Sequence, residues 1–186
     1  DPCGAGGNHL PAWTVIRPVH MDGGRAGFAC CRGHQSDIGG GAAGTYNSEA
    51  EEIFHEGIRL PVLRLVEKGE VRRDLWNLLL LNSRCPDIVG GDVQAMLGAT
   101  TVGAKRFLAM CSAIGSDAAD ATMEAILDHG EAMMRAAIRS LPPGTYSATE
   151  ISVTDCFEDR DVPVTVALTV VADTLTVDFT GSSPQV

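Results

Sequence analysis

The chain has 186 residues, 14 basic and 24 acidic side chains, a formal net charge of −10 and an apolar fraction of 45%. That length suits one domain or two small ones, and the apolar fraction excludes a disordered chain. The acidic balance excludes a nucleic-acid-binding or membrane-surface protein, which needs clustered Lys and Arg, and no window approaches the roughly 18 apolar residues of a bilayer-spanning helix.

The chain opens Asp1-Pro2-Cys3-Gly4, with no initiator Met and no basic leader, and it stops a few residues after a strand-like run. It is therefore expected to be an internal fragment of a larger protein. Trp13 to Pro18 and Ala26 to Cys31 read as strands, joined by a turn at Asp22-Gly23-Gly24. His34 to Gly41 is a glycine-dense loop, and Glu49 to Glu56 has room for one or two helical turns. Val71, Leu75, Leu78 and Leu79 have helical spacing. Pro86-Asp87 starts a long helix whose apolar stripe runs Val93, Met96, Leu97, Ala104, Phe107, Leu108 and Cys111. Gly115 fits the end of that helix and Ser116-Asp117 the cap of the next, whose stripe runs from Met123 to Leu141. Pro142-Pro143-Gly144 stops it. Tyr146 to Val153, Val162 to Val171 and Leu175 to Phe179 are strand-like, and Asp155 to Asp161 reads as a solvated acidic loop. Strands, then helices, then strands predict an α+β fold. Its glycine-rich strands and loops occupy 1–60, the helical segment 70–141 and antiparallel strands 145–180.

Six cysteines lie along the chain with no C-x-x-C pair, so they read as free thiols of a reducing, cytoplasmic setting. Cys30 and Cys31 point to opposite faces of one strand. His34-x-x-Asp37 sits before three glycines, and His55 follows 18 residues after Asp37. Neutral imidazoles and a carboxylate suit Zn, Mn or Fe, and three such ligands with an open position would make a catalytic metal site. The plain alternative is that His34 and Asp37 hydrogen-bond within a turn. His55, Glu56 and Arg59 put an imidazole, a carboxylate and a guanidinium within five residues. Glu56 can act as a base and Arg59 as an anion clamp, or all three can be solvated charges at a helix end. Arg84, before Pro86, can reach an acidic ligand or cap a neighbouring helix. No G-x-S-x-G nucleophile and no basic-aromatic interleaving for nucleic acid occur.

An ordered series of short motifs resembles the hydantoinase B/oxoprolinase family. The series is Asp1-Pro2, Gly6-Gly7, His9-Leu10-Pro11, His34-x-x-Asp37-Ile38-Gly39-Gly40 and Glu52-Ile53-Phe54-x-Glu56-Gly57-Ile58-Arg59. It continues with Asn82-x-Arg84-x-Pro86, Gly91-Asp92-x-x-Ala95, Gly103-Ala104-Lys105-Arg106 and Asp178 to Pro184. The resemblance covers essentially the whole chain. It implies the hydrolytic component of an ATP-dependent cyclic amide hydrolase of the hydantoinase or 5-oxoprolinase type. A hydantoinase A-like ATP-binding partner, carrying ATP and Mg, phosphorylates the ring carbonyl oxygen, and the hydrolytic component opens the ring. In the branch that carboxylates ketones such as acetone or acetophenone, a His-x-x-Asp pair and a downstream His look like metal ligands. Carried over, these are His34, Asp37 and His55, holding a divalent Zn, Mn or Fe. Such a metal would lower the pKa of a bound water toward about 7. Glu56, Asp1 and His9 are then the candidate catalytic groups, and Gly39, Gly40, Gly41 and Arg59 the candidate substrate contacts. A component of an ATP-dependent ketone carboxylase and a non-catalytic scaffold piece are the competing readings. The chain departs from the family pattern at Cys3, Ala12, Ala43 and His55, where relatives often carry Tyr, Asp, Pro and Gln.

Overall fold

The structure is a computed structural model that describes residues 9–21 and 24–184. Asp1, the Gly6-Gly7 motif and the turn residues Asp22 and Gly23 lie outside the described residues. The chain divides into two compact units between Ala113 and Ile114. Helices and antiparallel strands make it an α+β protein.

The first unit is a hairpin laid on a helix. Strand β1 (Ala12–Met21) pairs antiparallel with β2 (Gly24–His34), with Ile16 opposite Cys30 and a bulge between Val19 and His20. Both strands alternate. Val15, Arg17 and Val19 turn inward while Thr14, Ile16, Pro18 and His20 are exposed. On β2 the inward positions are Gly27, Ala29, Cys31 and Gly33. Cys30 and Cys31 thus take opposite faces, as expected, and both are free thiols. A two-residue hairpin, β3 (Val66–Glu67) with β4 (Glu70–Val71), turns on Lys68 and Gly69, both at positive φ. Helix α1 (Arg73–Leu81) follows. Val71, expected on that helix, is in β4 instead, because pairing with Val66 takes its backbone.

Helix α2 (Pro86–Ile114) begins at the proline, whose missing N–H is no loss in a first turn, and carries Asp87 at its positive end. Met96, Thr100, Gly103 and Phe107, spaced four, three and four apart, form one stripe facing the hairpin. A Cβ at Gly33 would lie 3.7 Å from Met96 Sδ, and one at Gly27 3.7 Å from the Phe107 ring. One at Gly103 would lie 3.6 Å from Ala29 Cβ. Arg17 Nε donates to Thr100 Oγ1 at 3.5 Å. Small residues on both partners let strand and helix approach closely. The unit's core gathers there, with Val19, Val89, Val93, Met96 and Thr100 all buried. Gly90 of α2 in turn receives Trp76 and Leu80 of α1.

In the second unit, helix α3 (Ser116–Arg139) accompanies a three-stranded antiparallel meander. Its strands are β5 (Gly144–Thr154), β6 (Asp159–Val171) and β7 (Thr174–Asp178). Gly115, at φ +85°, is the residue before α3, so Ser116 is the first helical residue and not the cap. Threonines line one sheet face, where Thr145 pairs with Thr169 and Thr149 with Thr165 through hydroxyls 3.0 Å apart. Val162 and Val170 are buried on the other face. Arg135 and Arg139 of α3 both pair with Asp173 in the β6–β7 turn. The acidic loop is more ordered than expected: Asp155 accepts the Phe157 and Glu158 N–H groups and pairs with Arg160. No described helix is long and apolar enough to cross a membrane.

The 3.6 Å spacing at Gly103 is an ordinary van der Waals contact for one added carbon. Gly103→Ala is therefore expected to stabilise the protein by about 0.5–1 kcal/mol through helix propensity. Gly103→Leu is expected to destabilise it by about 1–3 kcal/mol by forcing Ala29 away. Urea unfolding of the two variants checks both signs.

Candidate functional site

The site lies where β2 ends. His34 is its last residue and stands opposite Ala12 in the hairpin register. The pairing runs one step further, with the Gln35 N–H donating to the Pro11 carbonyl at 2.9 Å. His9 precedes β1 in a turn closed by the Ala12 N–H on the His9 carbonyl. Its ring lies 5.0 Å from that of His34 and 5.6 Å from that of Tyr46. His9 Nδ1 is buried and has no hydrogen-bond partner among the described residues.

Beyond Gln35 the chain turns around a single carboxylate. Asp37 is 2% exposed. Its Oδ1 accepts the N–H groups of Gly39 and Arg84, each at 3.0 Å. Its Oδ2 accepts the Gly44 N–H at 3.2 Å and Arg84 Nη1 at 2.9 Å. A carboxylate offers about four acceptor positions, and these four donors fill them. Burial is the largest influence on this group and pushes its pKa up. The Arg84 and Gly39 amides, the Arg84 guanidinium and the Gly44 amide together outweigh it and bring the pKa from 3.8 down to about 2.

The glycines that follow are packed against backbone. Gly39 and Gly40 have φ of +85° and +82°. A Cβ at Gly40 would fall 2.5 Å from the His55 carbonyl oxygen and 2.8 Å from Gly57 N. Gly57, at φ +134°, lies as tightly against Ile38. The Gly41 N–H donates to the His55 carbonyl at 2.8 Å and the Ile58 N–H to the Ile38 carbonyl at 2.9 Å. Residues 38–41 and 55–58 thus run backbone to backbone with no room for side chains between them.

The expected metal set is not assembled. Among the described residues no three His, Cys, Asp or Glu side chains converge on one point. Asp37 has its acceptor positions filled by Arg84 and two glycine amides. His55 contributes its backbone to the Gly40–Gly41 crossing, while its ring accepts the Glu51 N–H on Nδ1 at 3.3 Å and lies 3.5 Å from Glu52. His34 faces His9 instead. With Asp37 turned to Arg84 and His55 to Glu51 and Glu52, His34, Asp37 and His55 share no common focus in this structure. Two imidazoles, His9 and His34, are brought together, and the residue opposite His34 is the methyl of Ala12.

The other candidates also find places. The Gly39 and Gly41 amides are held by Asp37 and His55, so two of the three glycine N–H groups expected to face an oxyanion are turned to the protein itself. Glu56 closes the 3₁₀ turn Ile53–His55 and is half-buried. The Arg59 guanidinium lies 5.5 Å above the Phe54 ring. Asp1 lies outside the described residues. Tyr46 is a residue that the motifs did not place in the site, while Arg84, expected to reach an acidic ligand or cap a helix, binds the carboxylate of Asp37. No local spacing links Arg84 to an aspartate 47 positions earlier.

The hydantoinase B/oxoprolinase family model matches residues 1–186. The chain belongs to that family. It is 32% identical over 188 residues to the B component of a putative D-/L-hydantoinase from Pseudomonas sp. strain NS671, covering 97% of this chain and 31% of that protein. The crystal structure of the ATP-dependent caprolactamase from Pseudomonas jessenii superposes with a TM-score of 0.87 at 33% identity, over 97% of this chain and 31% of that one. A nucleotide-free acetone carboxylase shares the fold, at 19% identity and a TM-score of 0.82 over 94% of this chain and 25% of that one. The chain therefore spans less than a third of the length of each of these proteins.

Asp37 has a direct signature. Its folded-state pKa of about 2 lies below the ordinary 3.8, so folding favours the ionised form. Its contribution, roughly 2 kcal/mol, is present above pH 3.8 and is lost as the pH falls through about 2. Asp37→Asn, which turns an NH₂ donor toward other donors, is expected to lower stability by roughly that amount near neutral pH. The gap to wild type should close in urea titrations near pH 2. A gap independent of pH would remove the ionised carboxylate from this role.

Proposed function

We propose that this chain supplies part of the hydrolytic component of an ATP-dependent cyclic amide hydrolase, working with a hydantoinase A-like ATP-binding partner. Family membership supports the class, as do relatives described as a hydantoinase B component and an ATP-dependent caprolactamase. The observation that carries the reading is the His9–His34 pair, 5.0 Å apart beside Tyr46 at the end of a hairpin anchored on α2.

The chemistry follows from the substrate. A ring amide is a poor electrophile. Phosphoryl transfer from ATP to its oxygen, on the partner, makes the ring carbon attackable. Water then adds to that carbon, the C–N bond breaks as the nitrogen takes a proton, and a second water releases phosphate. An imidazole at His9 or His34 is suited to take the proton from the attacking water as a general base. Arg59, steadied over Phe54, supplies positive charge for the phosphoryl group. The free thiols at Cys30, Cys31, Cys85, Cys111 and Cys156 support a reducing, cytoplasmic setting.

The test measures ATP hydrolysis and ring-opened product in the full-length complex with its partner, with and without bicarbonate. Cyclic amides should drive both without bicarbonate. A bicarbonate requirement would instead identify a ketone carboxylase. His9→Ala and His34→Ala should each lower product formation by roughly 10²–10⁴-fold. Unchanged turnover in both variants would leave this chain as a scaffold.

A further inference from the structure

We infer that Arg84 is a positioning residue of this site, holding the turn at residues 37–44 in the register that presents His34 and Tyr46 to His9. The inference rests on the hydrolytic reading of the His9–His34 pair.

Arg84 lies in the connection between α1 and α2. Its backbone N–H and its Nη1 both reach Asp37, while Nη1 also donates to the Ala42 carbonyl at 3.3 Å and Nη2 to the Gly40 carbonyl at 2.5 Å. One side chain therefore ties the carboxylate and two carbonyls of the same turn to the start of α2. That helix also carries the hairpin, through Met96, Thr100 and Phe107. The segment that leaves β2 at His34 and reaches Tyr46 is consequently tied to the α1–α2 connection at Asp37, Gly40 and Ala42. The planar fork is needed for this. It meets a carboxylate and two carbonyls at fixed angles, which a lysine ammonium does not reproduce. The side chain is 47% exposed, so its loss opens no cavity in the core.

Arg84→Lys separates positioning from stability. The lysine keeps the backbone N–H bond and a charge beside Asp37, and it gives up the hold on Gly40 and Ala42. In the full-length complex with its partner, the variant is expected to show kcat roughly 100-fold lower with KM within about twofold of wild type. Added guanidinium should restore part of the kcat of Arg84→Ala, a rescue that general destabilisation would not give. In hydrogen exchange, the Gly41 and Gly44 amides should exchange at least about tenfold faster in Arg84→Lys, with α2 protection unchanged. Wild-type kcat in Arg84→Lys, or a kcat loss accompanied by loss of α2 protection, would overturn the inference. If wild-type complex opens no cyclic amide, the hydrolytic reading fails. Exchange at Gly41 and Gly44 then decides alone: unchanged rates overturn the role of Arg84 in holding the turn, and faster rates support it.

Discussion

A carboxylate taken out of water must be met by donors, because an unpaired buried charge costs several kcal/mol. Asp37 is met by four, two from glycine amides of its own turn and two from Arg84. That demand shapes the loop. It bends the chain back within seven residues, sets Gly39 and Gly40 at positive φ, and joins the loop to the α1–α2 connection. Remove the charge and four donors, two of the turn and two of Arg84, lose their common anionic acceptor. The depressed pKa measures how far these donors outweigh the burial.

Around that centre, close backbone approach replaces side-chain packing. Gly40 and Gly57 let two loop segments cross with carbonyls and amides in direct contact. Between the hairpin and α2, Gly27, Gly33 and Gly103 instead leave room for the side chains of Phe107, Met96 and Ala29. At the Gly40–Gly57 crossing any side chain would wedge the segments apart, whereas between hairpin and α2 there is room for a methyl group and no more than that is free of cost. The glycine-rich character of this sequence therefore reflects tight crossings at least as much as a surface for ligands. The rigidity matters for chemistry, since proton transfer between an imidazole and a water depends on placement to within a fraction of an ångström.

The His9–His34 pair shows how a site can be visible in its parts and hidden in its assembly. Each histidine stands in a motif that the sequence displays. Their meeting depends on hairpin register, and that register contains a bulge at Val19–His20. Without the bulge, continued pairing from Met21 and Gly24 would set His34 opposite Pro11 rather than Ala12. A one-residue slip in a strand moves a side chain to the other face. No spacing rule reveals a bulge; the His-x-x-Asp spacing and the family resemblance pointed to Asp37 and His55 as companions of His34. In the structure Asp37 faces Arg84, and His55 faces Glu51 and Glu52.

Local pattern was enough for the elements. Apolar spacing of three and four placed all three helices, alternation placed the long strands, and Pro86, Gly115 and Pro142 marked helix boundaries. The ordered motifs were enough for the family. The elements rest on short-range properties, carried by neighbours within one or two turns of chain, and the family on the order of short motifs along it. The fate of Asp37, Arg84 and the glycines was decided only by the tertiary structure. Their partners lie between 2 and 47 residues away, and which donor reaches a buried carboxylate depends on the folded path, which composition and spacing do not encode.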